Sequence, residues 1–346
     1  MHHHVHKILP CWAQQKKELS WALASIVEIS GSSYRKPGAM MLINEQGKSL
    51  GILSGGCLEA DVILQAQKAM HLNKNRLIEY DTYDDGEYNL MQFLGCGGAI
   101  SVFIQPLKKS NNYQNLELLL AGLNANKSMY YCINYKQTNS TNECVESHDS
   151  INERATHNNN QVGFHYNPSP HIAIFGAGLD AIPLVNIMHI LGWRVSLYDT
   201  RSTHVNSKLF SNETHIIKTP FEQINLPEIH AGIVMGHNLN FDAQALSLLQ
   251  SSSATYIGLL GPKHRQEKVI SLMSAPLLKK LYGPIGLNIG GELPEEIALS
   301  IVAQIQAVLN NRCKNNKCES QEYENSKYDN NKHEQKLSEH HQVLNT

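Results

Sequence analysis

The sequence lacks several features that would place it in a narrow class. No apolar run approaches the ~18 residues of a membrane span. The N-terminus has no signal-peptide core. Neither sign of charge prevails: 29 Lys and Arg stand against 31 Asp and Glu, a formal net charge of −2. No global field therefore draws the chain to nucleic acid or an anionic membrane. Cysteines are few and odd in number, 7 in 346 residues, which argues against a disulfide framework and for reduced thiols. With no secretion route visible, the glycosylation patterns at Asn139 and Asn212 carry no weight. A soluble, cytoplasmic protein is expected. Histidine is plentiful at 18 residues. However, His2, His3, His4, His340 and His341 lie in polar ends without a second ligand set, so they read as solvated tails rather than a metal centre. No internal repeat is visible.

What is present is ordinary globular material. Hydrophobic residues make up 42% and glycines number 23, and at about 150 residues per domain the length predicts two domains and a tail. From Trp21 to Pro106 the pattern is strand-rich. Short strands are expected at Ala24–Ile29, Ala39–Ile43 and Ser49–Ser54, the last two joined by a hairpin loop. Leu58, Val62, Ala66 and Met70 fall four apart, the spacing of a helix face. Arg76–Tyr80 and Ala99–Gln105 read as further strands. A helix over Leu116–Leu123 and a strand over Met129–Tyr135 follow. Lys136–Gln161 offers too little apolar surface to repay ordering and is expected to be a mobile loop, and Asn167–Pro170 reads as a linker.

Beyond the linker, strands and helices alternate. Strands are expected at His171–Phe175, Arg194–Tyr198, Gly232–Met235 and Thr255–Leu260. Helices are expected at Asp180–Leu191, Asp242–Gln250, Gln266–Met273 and Pro294–Leu309. Such alternation implies a parallel sheet covered on both faces. Between the first strand and helix lies Gly176-Ala177-Gly178-Leu179-Asp180-Ala181. Gly176 allows the tight turn, Gly178 lets a phosphate approach the backbone, and Ala181 permits close helix–strand packing. Free N–H groups at the helix start favour an anion. Asp199 ends the next strand about 20 residues on, where an acid can hold a ribose hydroxyl; Arg201 nearby could take a phosphate instead, leaving NAD or NADP open. His237, Gly261 and Arg265 follow later strands on the same rim and are candidate ligand contacts. The fold class is thus α/β: an N-terminal mixed α+β domain over 1–167 (107–167 partly loop), a Rossmann-like doubly wound parallel-sheet domain over 168–310, and a disordered tail over 311–346.

Two cysteines have unusual settings. Cys57 lies in Ser54-Gly55-Gly56-Cys57-Leu58-Glu59 at a strand–helix junction, and Cys96 lies in Gly95-Cys96-Gly97-Gly98 before a strand. The flanking glycines strip cover from the sulfur, and their N–H groups can face an anion. A helix start favours the thiolate, with Glu59 partly opposing it. Against this stands the ordinary role of a small buried residue in a tight turn. Cys11, Cys132 and Cys144 have no comparable setting.

Taken with Gly31-Ser32-Ser33-Tyr34-Arg35, Pro37-Gly38-Ala39-Met40, Asp199-Thr200-Arg201, Tyr256-Ile257-Gly258-Leu259-Leu260-Gly261 and Pro294-Glu295-Glu296-Ile297, these motifs resemble the XdhC/CoxI family. Its members are accessory proteins of xanthine dehydrogenase and related molybdenum hydroxylases. The resemblance spans Trp21–Leu309 apart from the Asn-rich middle. It implies a chaperone that binds molybdenum cofactor (molybdopterin), assists its sulfuration and delivers it to a hydroxylase apoenzyme, with a cysteine desulfurase supplying sulfur. Cys57 and Cys96 are then the candidates for contact with cofactor, transferred sulfur or molybdenum itself, since soft thiolates suit such a centre. Gly55, Gly56, Glu59, Gly97 and Gly98 surround them as cofactor contacts. A homodimer is expected. The alternative is an NAD(P)-dependent oxidoreductase, for which His237 or Tyr256 would relay the proton.

Overall fold

The computed structural model describes residues 4–31, 33–81, 98–135, 141–147, 156–158, 161–199, 209–210, 214–274, 276–277 and 280–312. The chain divides into two compact units at Ser169/Pro170.

The first unit opens with α1 (Val5–Gln15), which buries Ile8, Leu9 and Trp12. A five-stranded antiparallel sheet follows, in the order β3-β2-β1-β5-β4. Its strands are β1 (Trp21–Gly31), β2 (Met40–Asn44), β3 (Ser49–Gly51), β4 (Arg76–Asp81) and β5 (Gly98–Leu107). The period of two along β1 divides its side chains between two cores. Ala22, Ala24 and Ile26 meet Leu58, Val62, Ala66 and Ala69, chiefly from α2 (Glu59–Leu72). Trp21, Leu23 and Val27 face the opposite way, into a core shared with α1 and α3 (Leu116–Asn124). A register shift between Ile26 and Glu28 in the β1–β5 pairing adjusts that alternation. α2 ends where Asn73 turns left-handed at φ 51°, its N–H donating back to Ala69 and Met70, a common helix stop.

A second sheet, of four strands in the order β7-β6-β9-β8, covers that shared core. It comprises β6 (Met129–Asn134), β7 (Glu143–Glu146), β8 (Thr156–Asn158) and β9 (Gln161–Tyr166). Two of these strands fall in the stretch expected to be a mobile loop. The ordering is repaid by hydrogen bonds rather than by apolar area. Asn142 is 1% exposed; its amide exchanges two bonds with Gln105 at 2.8 and 3.0 Å, and its Nδ2 also donates to the Tyr131 hydroxyl at 2.8 Å. Its backbone N–H donates to Gln114 Oε1 at 2.8 Å.

The second unit is a six-stranded, wholly parallel sheet in the order β12-β11-β10-β13-β14-β15. The strands are β10 (His171–Phe175), β11 (Arg194–Tyr198), β12 (His215–Ile217), β13 (Ala231–Val234), β14 (Tyr256–Leu259) and β15 (Leu281–Tyr282). α4 (Ala181–Ile190) and α7 (Pro294–Leu309) pack on one face around Ile172, Ile174, Val195 and Ile233. α5 (Leu239–Gln250) and α6 (Lys263–Ser271) cover the other, around Ala173, Phe175, Val234 and Leu259. Coverage on both faces explains why β10, β13 and β14 are buried along their whole length and read as unbroken apolar runs. This is the Rossmann-like, doubly wound sheet that the alternation implied. Its strand order reverses between β10 and β13, and in such sheets the crevice outside the carboxyl strand ends at that point receives ligands.

Candidate functional site

In the first unit, register places the connections of interest at one end of the five-stranded sheet. Gly31 at the end of β1 lies opposite Gly98 at the start of β5. Gly51 at the end of β3 lies opposite Met41, and Asp81 at the end of β4 opposite Ala99. The chain therefore leaves β1, β3 and β4, and enters β2 and β5, at the same end. The turn from β3 to α2 that carries Cys57 starts there. Residues 82–97, with Cys96 and Gly97, join β4 to β5 but lie outside the described residues, as does Arg201 of the second unit.

The turn before α2 is built by Ser54 and Glu59. Ser54 Oγ accepts from Leu58 N at 3.0 Å and Gly56 N at 3.3 Å, and donates to Glu59 Oε2 at 2.5 Å. Glu59 Oε1 accepts from Leu53 N at 3.1 Å and Ser54 N at 2.8 Å. Burial raises the Glu59 carboxyl, but bonds from the Ser54 side chain and from the Ser54, Glu59 and Leu53 backbone outweigh it and hold the group below its ordinary range. The carboxylate is thus occupied in shaping the turn. That role is missing from the sequence reading, although a serine and an acid flanking a helix start are its signal. The turn holds Cys57 exposed. Among the described residues, a Cβ placed at Gly55 or Gly56 would meet nothing within 4 Å, so none of them covers that side of the turn. Cys132 and Cys144 differ: both are buried, and burial pushes the Cys144 thiol up to about 11.

In the second unit the glycine loop joins β10 to α4. Gly176 has φ 119°, and a side chain there would press on the Met235 carbonyl after β13; close approach of the two loops requires glycine. Asp199 is 1% exposed, and its Oδ2 accepts from Ala177 N at 2.9 Å, so this acid supports the loop from beneath. Across the crevice, His237 adopts the left-handed φ of 57°, and its Nε2 lies 2.8 Å from Asp180 Oδ2. Asp242, fully buried at the start of α5, pairs with Arg265 and accepts from Gly236 N at 2.9 Å. Burial raises the Asp242 carboxyl, with Arg265, the Gly236 N–H and His237 opposing without reversing it. Arg265 also donates to the Leu260 carbonyl at 3.0 Å, beneath Gly261 at φ 120°. Gly176, Gly178, Gly261 and His237 thus lie on the connections that follow the strands, with Arg265 in the first turn of α6.

Tyr256 does not join them. It begins β14 at the far end of the strand, is fully buried, and donates to Gln304 Oε1 at 2.6 Å. It cannot serve as the rim proton donor considered for an oxidoreductase. Among the described residues, no group of three His, Cys, Asp or Glu could hold a metal ion, and no helix is long and apolar enough to cross a membrane.

These features define a two-unit α/β protein with a Rossmann-like second unit and an exposed, glycine-flanked thiol at a sheet end of the first. Residues 172–305 match the XdhC Rossmann domain and residues 14–81 the XdhC and CoxI family. A Bacillus subtilis (strain 168) protein described as a probable xanthine dehydrogenase subunit is 30% identical over 322 residues, covering 87% of this chain and 96% of that protein. The chain belongs to the XdhC and CoxI family. The molybdenum cofactor insertion chaperone PaoD of Escherichia coli (strain K12) is 24% identical over 291 residues, 83% of this chain and 82% of that one. A crystal structure described as a xanthine dehydrogenase from Bacillus halodurans superposes with a TM-score of 0.74 at 30% identity, covering 90% of this chain and 97% of that chain.

Proposed function

We propose that this protein is a maturation factor that holds molybdenum cofactor as cargo, assists its sulfuration and delivers it to xanthine dehydrogenase or a related molybdenum hydroxylase. The names of two relatives support this reading: one is a molybdenum cofactor insertion chaperone, the other a probable xanthine dehydrogenase component. The observation that carries it is the exposed Cys57 beside two glycines that meet nothing else among the described residues. A thiolate is a soft ligand suited to a sulfur-rich metal centre, and adjacent backbone N–H groups suit the pterin phosphate. Cys96, with Gly97 and Gly98, is assigned the same role, and a cysteine desulfurase is the proposed source of the sulfur. In the second unit the Gly176–Ala181 loop, with Asp199, Arg201, His237, Gly261 and Arg265, is assigned to a phosphate-bearing nucleotide. Calorimetric titration with NAD, NADP and CMP identifies its class.

The test is retention of cofactor. Protein purified from a molybdopterin-producing host is oxidised, and the released pterin is measured by fluorescence against protein concentration. Cys57→Ala and Cys96→Ala are each expected to lower the pterin content and to slow activation of the apo-hydroxylase. If both single variants retain pterin and support activation like the parent, the thiol assignment is wrong.

A further inference from the structure

We propose that Asp180 and His237 form a pH-sensitive latch across the switch-point crevice of the second unit, tying the loop after β10 to the loop after β13. The strand order reverses between these two strands, so the bond between their loops spans the place where a doubly wound sheet receives ligands. The backbone shows that the contact is built rather than incidental. His237 holds a left-handed φ of 57°, a conformation that costs a non-glycine residue energy and persists only where the surroundings impose it. Its ring then reaches Asp180 Oδ2 at 2.8 Å. The two anchors are firm: Gly236, next to His237, donates to the buried Asp242, which Arg265 holds from α6. Asp180 sits at the first turn of α4, whose Ala181 N–H donates to the Gly178 carbonyl at 3.1 Å.

The charged groups facing His237 among the described residues are Asp180 before α4, Asp242 on α5 and Arg265 on α6. The Asp180 hydrogen bond is the largest influence and raises the imidazole above its ordinary range; burial lowers it, the Asp180 charge raises it, Arg265 lowers it and Asp242 raises it. The imidazolium–carboxylate form therefore prevails below that raised value. As pH rises through it the ring loses its charge, only a hydrogen bond from the neutral ring to the carboxylate remains, and the loops separate more often. The pair is partly solvated, with side chains 62% and 26% exposed, so the expected effect is small, about two- to five-fold in the opening equilibrium.

The latch is read on the unliganded full-length protein, so it stands or falls independently of the cofactor assignment. Amide hydrogen exchange is measured from pH 6 to 9 and expressed as protection factors, which removes the intrinsic pH dependence. The amides of Ala177, Ala181 and Gly236 are expected to lose two- to five-fold protection through the His237 titration, followed in parallel by the ring resonances. Asp180→Asn should lower the His237 titration toward its ordinary value and abolish the step in protection. His237→Asn, which tolerates a left-handed backbone, should give low protection at every pH. The double variant should be no less protected than either single one. Protection that stays constant through the titration, or a step that survives Asp180→Asn, overturns the latch.

Discussion

The turn that presents Cys57 depends on one carboxylate, and removing it has a calculable consequence. Glu59 accepts three bonds, from Leu53 N, Ser54 N and Ser54 Oγ. In Glu59→Gln the amide oxygen can stand where Oε1 does and keep both N–H donors, but the NH2 group then faces the Ser54 hydroxyl, whose O–H loses its acceptor. Each buried donor left unpaired costs about 1–3 kcal/mol. Water reaches the exposed Gly55–Cys57 side and recovers part of this, so the net loss is about 1–2 kcal/mol. For a unit of this size that corresponds to a fall in melting temperature of about 2–8 °C. The pH dependence has a definite sign. The folded Glu59 lies below its ordinary range, so its contribution is present above the unfolded value of about 4.3 and is lost as pH falls through the folded value. Thermal unfolding of parent and variant should therefore differ by a constant margin from about pH 8 to 5.5 and converge in acid. Amide exchange at Leu53, Ser54 and Leu58 should accelerate in the variant at neutral pH. A variant that melts with the parent at pH 7, or keeps those amides equally protected, would refute the idea that Glu59 organises this turn.

Two further substitutions test the supports of each unit. Asp242→Ala leaves the Arg265 guanidinium and the Gly236 N–H without their buried partner; a loss of about 3–5 kcal/mol is expected, seen in denaturant titration as early unfolding of the second unit. Asn142→Ala strips both bonds from the Gln105 amide and the Nδ2 donor from the Tyr131 hydroxyl, while the backbone N–H still donates to Gln114 Oε1. About 2–4 kcal/mol should be lost, with β7 the first element to exchange its amides.

The second unit was largely legible in the sequence because parallel strands buried on both faces read as continuous apolar runs between amphipathic helices. β10 and β11 fall where the pattern placed them, and α7 begins at Pro294 with Glu295 and Glu296 in its first turn. The helix expected from Asp242 instead starts at Leu239, because the Asn238 side chain accepts from Phe241 N and caps it. Elements with a broken or sparse apolar pattern were harder to read. α1 carries Pro10 in its interior, which masks a helical pattern. β7 buries only Cys144 of its four residues, too little for an apolar signal. Tyr256 shows a different limit: its motif identifies a strand but not which end lies at the crevice. At about 3.3 Å per residue, three residues separate it from the rim by roughly 10 Å.

The candidate sites share a property that periodicity does not report. Four carboxylates at these sheet ends are engaged by the chain itself: Glu59 by Leu53 and Ser54, Asp199 by Ala177, Asp242 by Gly236 and Arg265, Asp180 by His237. These acids thus act on the loops before they can act on a ligand. An incoming anion would be repelled by unpaired carboxylates, and bonding them internally lessens that obstacle while fixing the backbone that must receive it. Direct contact then falls first to groups whose donors or sulfur remain outward, among them the glycine backbone and the Cys57 thiol. On this argument an acid-to-amide substitution should first loosen a turn and only through that weaken ligand binding, whereas Cys57→Ala should weaken binding with the fold intact. Stability and retention measured on the same variants separate the two kinds of residue.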